Sequence, residues 1–80
     1  MMPVLTLYHR KGCHLCEDMH DVLVSLQQEM HFSLHKVDID QNAALRDRYH
    51  SDVPVLACED QIVCKHFLDV PALEKVLSHA

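Results

Sequence analysis

Two cysteines three residues apart, Cys13 and Cys16, follow the only glycine of the chain, Gly12, and stand at the head of a long amphipathic pattern. Before them runs a short apolar stretch, Val4-Leu5-Thr6-Leu7-Tyr8. The local order is therefore strand, tight turn, two cysteines, helix. Positions i and i+3 share one face of a helix. That spacing brings the two Cα atoms to about 5–6 Å, which suits a disulfide. A thiol at a helix start meets the positive end of the macrodipole and unpaired backbone N–H groups. Both favour the thiolate, which is the reactive species. The motif thus points to redox chemistry, with Cys13 accessible and Cys16 sheltered on the apolar stripe.

The rest of the chain supports an α/β order. From Cys13 the apolar positions Leu15, Cys16, Met19, Val22, Leu23, Leu26 and Met30 form one helical stripe. Val4 to Tyr8 reads as a central strand buried on both faces. Phe32 to Asp40 reads as a second strand, with Val37 and Ile39 on one face and Asp38 and Asp40 on the other. Two parallel strands joined by a helix make a right-handed βαβ unit. Gln41 to Tyr49 is a short helix, ended by Asp52-Val53-Pro54. Val55–Cys58 and Ile62–Cys64 are too close for a crossover and form a hairpin. Its turn at Glu59-Asp60 is expected to pair Ala57 with Ile62 and Val55 with Cys64. Cys58 and Cys64 then lie on opposite faces, with structural rather than mutual roles. Asp69 caps a last helix that carries Pro71 in its first turn and Leu73, Val76 and Leu77 inward.

Composition bounds the function. Eighty residues at 49% apolar make one domain, 1–80, with a modest core and no need for a metal or disulfide staple. A net charge of −5 disfavours nucleic acid, which asks for a basic face. No apolar run reaches the length of a membrane span, about 20 residues. Met1-Met2-Pro3 lacks the charged and apolar regions of a signal peptide. A cytoplasmic location is expected, where four cysteines suggest redox chemistry or metal binding over a disulfide framework.

The order β-α-β-α-β-β-α resembles the glutaredoxin-like members of the thioredoxin superfamily over essentially the whole chain. The matching residues are Gly12-Cys13-His14-Leu15-Cys16, Val37-Asp38-Ile39-Asp40 and Val53-Pro54. The nearest likeness is to the short branch in which C-H-L-C-E replaces C-P-Y-C. The resemblance implies a four-stranded mixed sheet flanked by three helices, two on one face and one on the other. It also implies a cis proline at Pro54 beside the cysteine pair. The function implied is thiol–disulfide exchange, with Cys13 and Cys16 catalytic and Arg10, Lys11, Val53, Pro54 and Asp69 contacting substrate. A protein disulfide or a reductase is the expected partner, and the chain is expected to be a monomer. No cofactor is required; glutathione stands as an alternative co-substrate. Two departures bear on it. Lys65-His66 stands where glutathione-holding relatives carry Gly-Gly, and Asp52 replaces the threonine of Thr-Val-Pro.

Two further readings remain open. His9, Cys13, Cys16 and His20 make an H-x3-C-x2-C-x3-H string of zinc-ligand types. Cys13 and His20, however, are two turns apart, about 10 Å along one helix. No metal site is therefore assigned, and an iron–sulfur cluster shared between two chains is the more credible metal alternative. Haem attachment fails because Glu17 stands where C-x-x-C-H needs histidine. A non-catalytic interaction domain is the third reading. The eight histidines suggest no common site.

Overall fold

The computed structural model describes residues 2–78. Strand β1 (Val4–His9) leads through a turn at Arg10–Gly12 into helix α1 (His14–Leu26). Strand β2 (Ser33–Asp38) follows, then a 3-10 turn over Ile39–Gln41 and helix α2 (Ala43–Tyr49). Strands β3 (Val55–Cys58) and β4 (Gln61–Lys65) form a hairpin, and helix α3 (Val70–Ser78) closes the chain. The strand order is β2-β1-β3-β4, with β1 parallel to β2 and antiparallel to β3. The mixed sheet, the central place of β1 and the thioredoxin-like element order agree with the reading of the sequence.

Each face of the sheet has its own apolar cluster. Leu5, Leu7 and Leu56 point to the face covered by α1 and α3, where they meet Met19, Leu23, Phe32 and Leu73. Fully burying one leucine contributes about 1.5–3 kcal/mol, so this cluster dominates stability. The other face holds Ile39, Tyr49 and Val55 beneath α2, with Tyr8, Leu45 and Val53 packed around them. Tyr8 and Tyr49 meet with ring centroids 4.7 Å apart. Two helices thus cover one face and one covers the other. Because α2 spans only 7 residues, Thr6 and Tyr8 stay half-buried, so β1 is fully buried on one face alone.

Three features differ from the sequence reading. Helix α1 stops at Leu26, not Met30, because Gln27-Gln28-Glu29 has no apolar side chain to bury. There the amide bonds tighten to i→i−3, Gln28 to Ser25 and Glu29 to Leu26. Its buried stripe is Cys16, Met19 and Leu23; Leu15 and Val22 face outward. Strand β2 ends at Asp38, whose carboxylate accepts the Asp40 N–H at 2.9 Å and turns the chain. Ile39 therefore leaves the strand and enters the α2-side cluster.

The hairpin register is the third correction. Ala57 pairs with Ile62 as expected, but a bulge between Leu56 and Ala57 moves the ladder by one. Cys64 then stands opposite Leu56, and Lys65 opposite Val55. An inserted residue leaves two side chains facing one partner. Cys58 and Cys64 consequently lie on the same face, both packed against the α1–α3 cluster, rather than on opposite faces.

Candidate active site

The site forms where β1 gives way to α1. Gly12 turns the chain at φ +75°, a left-handed conformation that strains any L side chain. Cys13 is extended and serves as the N-cap of α1, a place usually held by Ser, Thr, Asp or Asn. Its Sγ accepts the Cys16 N–H at 3.1 Å, and its carbonyl accepts the Glu17 N–H at the same distance. Cys16 lies one turn in, 3% exposed, whereas Cys13 is half-exposed. The two Cα atoms are 5.2 Å apart and the sulfurs are bonded as a disulfide. Cys13 is thus the more accessible residue of the pair and Cys16 the more buried.

The remaining candidates fall into two groups. Arg10 is held by the segment around α2. Its guanidinium forms a two-pronged ion pair with Asp40 at 2.9 and 3.1 Å and donates to the His50 carbonyl at 3.2 Å. It ties the end of β1 to the start and end of the α2 segment, and Asp40 offsets its charge. Lys11 is exposed and makes no ion pair among the described residues. Val53 packs against the α2-side cluster, and the buried Pro54 follows it through a cis peptide bond. Tyr8 pairs with Val55, which sets Pro54 toward the end of β1 that leads to Cys13. Asp69 caps α3, accepting the Ala72 N–H at 3.1 Å.

The residues at which the chain departs from its glutathione-holding likeness make contacts of their own. Lys65 Nζ meets Asp52 Oδ2 at 3.1 Å. His66 has φ +66° and is the centre of a three-residue turn closed by the Phe67 N–H on the Lys65 carbonyl at 2.7 Å. Its own N–H donates to the Pro54 carbonyl at 2.8 Å. The backbone there keeps a conformation that glycine adopts without strain, while carrying an imidazole.

A cavity of about 220 Å³ opens beside Cys16 between the β1–α1 turn, α1 and β2. His9, His20 and Lys36 line it with Cys16. The sequence reading gave the histidines no common site; the usable signal was the i, i+4 spacing of Cys16 and His20, with His9 closing β1. Burial pushes the His9 imidazole below its ordinary value, and Lys36 and His20 push it further, against the opposing pull of Asp38. Among the described residues no three His, Cys, Asp or Glu side chains converge as metal ligands. A larger hollow of about 1110 Å³ lies at the opposite end of the sheet, between the hairpin and α3.

Residues 4–78 match the sequence pattern of the Glutaredoxin-like domain (DUF836) family. The chain belongs to this family. The glutaredoxin-like chain is also similar to the Glutaredoxin-like protein YDR286C homolog of Dictyostelium discoideum, 28% identical over 71 residues. That match covers 81% of this chain and 66% of the relative, just under two thirds of its length. Among solved structures, protein Ne2328 from Nitrosomonas europaea is 38% identical, with a TM-score of 0.86, covering 95% of this chain and 92% of that one. Mitochondrial Thioredoxin 3 from Saccharomyces cerevisiae, in its oxidised form, is 22% identical, with a TM-score of 0.61. Coverage there is 96% of this chain and 77% of that one, a likeness of fold alone. The glutaredoxin-like fold and the bonded cysteine pair are consistent with a redox function. No helix among the described residues is long and apolar enough to cross a membrane.

Proposed function

We propose that this glutaredoxin-like domain is a thiol–disulfide oxidoreductase that cycles between the Cys13/Cys16 dithiol and its disulfide. The observation that carries the reading is the asymmetry of the pair. Cys13 caps α1 with its sulfur on the Cys16 amide at 3.1 Å, and Cys16 is 3% exposed. A thiolate at Cys13 receives that N–H and the positive helix end.

In the forward direction Cys13 thiolate attacks one sulfur of a substrate disulfide. A mixed disulfide forms, and the other substrate sulfur leaves as a thiolate. Cys16, once deprotonated, attacks Cys13 Sγ. The mixed bond breaks, the second substrate thiolate leaves, and two electrons have passed from the dithiol to the substrate. Val53 and Pro54 shape the groove in which an extended substrate segment lies, offering the backbone of Val53 for strand-like pairing. Lys11 adds positive charge near Cys13; Arg10, held by Asp40, adds less.

The donor that recharges the pair is a protein dithiol or a thioredoxin-type reductase rather than glutathione. The Lys65 and His66 side chains fill space that backbone contact with the tripeptide needs. Asp52, although paired with Lys65, keeps a carboxylate near a ligand that carries two. Asp69 and the α3 N-terminus remain available to charged groups of a substrate. The domain works in the cytoplasm as a monomer. Equilibration of the Cys13/Cys16 pair against a defined redox buffer, followed by reduction of a protein disulfide, tests the function. The expected result is a reversible two-electron transition and catalytic reduction. A pair that stays in one state across the buffer range, with no turnover, would remove the reading.

A further inference from the structure

Cys16 is 3% exposed and, in the exchange proposed above, must lose a proton before it can attack Cys13. Burial disfavours the thiolate, so an acceptor close by is needed. The cavity of about 220 Å³ beside Cys16 has room for several water molecules, and it is lined by the two imidazoles of His9 and His20. His20 lies one helical turn beyond Cys16, with its Nδ1 turned toward the Asp21 carboxylate at 3.6 Å. His9 ends β1 across the cavity and pairs with Asp38 of β2.

We propose that His9 is the general base that takes the Cys16 proton across this cavity during resolution of the mixed disulfide. The inference rests on the dithiol reading given above. In the step, the Cys16 S–H proton passes to the neutral His9 imidazole, directly or over one water. Cys16 thiolate attacks Cys13 Sγ, the bond from Cys13 to the substrate sulfur breaks, and the substrate leaves as a thiolate. The imidazolium then returns its proton to that thiolate or to solvent. His9 suits the role because its surroundings favour the neutral imidazole. Burial, Lys36 on β2 and His20 on α1 all disfavour its cation, and Asp38 on β2 only partly opposes them. Glu17 and Asp21 on α1 and Arg10 and Lys11 on the turn also line the cavity, so its lining carries both signs.

Stopped-flow mixing of the reduced protein with an aromatic disulfide that releases a coloured thiolate separates the two chemical steps. Attack by Cys13 releases the first equivalent, and resolution by Cys16 the second. His9→Gln is expected to leave the first release unchanged and to slow the second about tenfold or more at pH 7. In the wild type the second rate should rise with pH and level off at a midpoint below 6.5, the ordinary imidazole value. In His9→Gln it should keep rising into the alkaline range. Lys36→Gln removes a cation facing His9 and is expected to move the wild-type midpoint upward. An unchanged second release in His9→Gln, a larger loss in His20→Gln than in His9→Gln, or an unmoved midpoint in Lys36→Gln overturns the proposal. If instead Cys13→Ser leaves both releases intact, the dithiol function itself fails.

Discussion

The backbone amide of Cys16 donates to Cys13 Sγ across 3.1 Å, so in the exchange proposed above the resolving residue would also solvate the attacking one. In the disulfide that N–H serves a bonded sulfur, and in the proposed exchange it would meet the thiolate. Cys13→Ser is expected to reduce disulfide reductase activity by at least about a hundredfold, since a serine hydroxyl is a far weaker nucleophile at neutral pH. Cys16→Ser should keep the first attack and accumulate a mixed disulfide with the substrate, visible by intact mass. Full dithiol activity in Cys13→Ser would show that another thiol does the chemistry.

The two hairpin cysteines should be slow to react. Burial raises the Cys58 thiol, with Glu59 adding to it. Burial also raises Cys64, with a hydrogen bond from the Asp69 backbone N–H opposing and the Asp69 carboxylate adding. After reduction, brief alkylation at pH 7 and peptide mapping should find Cys13 labelled at least about tenfold faster than Cys58 or Cys64. Earlier labelling of either hairpin cysteine contradicts the expected order.

Lys65 and His66 are expected to act on glutathione through side-chain bulk. Replacing both by glycine (Lys65→Gly with His66→Gly) leaves the positive-φ turn feasible and clears that space. The double variant should bind reduced glutathione about tenfold more tightly than the wild type, a change of about 1.4 kcal/mol. Chemical-shift titration reads this directly. Saturation of the wild type at micromolar glutathione, mapped to Arg10, Val53 and Asp69, would restore an ordinary glutaredoxin specificity.

His9 also sets a pH dependence of stability. Its folded-state value lies below 6.5, so as the pH falls past 6.5 the unfolded chain takes up this proton first. The unfolded state binds more protons in that window. The His9 contribution is therefore complete above 6.5 and is lost as the pH falls through the folded-state value. Urea midpoints should decline between pH 7.5 and 5.5, and less steeply in His9→Gln, the other histidines cancelling in the comparison. Equal slopes in the two proteins would mean that His9 titrates alike in both states.

What the sequence made legible was whatever follows from spacing along one element. The helix start at Cys13, the sheltering of Cys16 beside Met19 and Leu23, and the Asp69 cap all depend on neighbours within a turn. The misread features depend on partners distant in the chain. The hold of Asp40 and His50 on the Arg10 guanidinium, for example, joins residues 30 and 40 positions apart and leaves no mark in the local sequence. The faces of Cys58 and Cys64 were inverted by a one-residue bulge, which alternation alone cannot signal. The cavity that joins His9 to Cys16 needs β2 to supply its far wall.

Gly12 carries a different lesson. A Cβ built on it meets nothing within 4 Å, yet its φ is +75°. The turn into the cysteine motif therefore selects for handedness, not for smallness. L-alanine would fit the space and oppose the torsion, whereas D-alanine would accept the torsion. Among the twenty encoded residues only the achiral one avoids the conflict. A chain assembled by chemical synthesis with D-alanine at position 12 would present Cys13 to its helix in the same way, with a stiffer turn behind it.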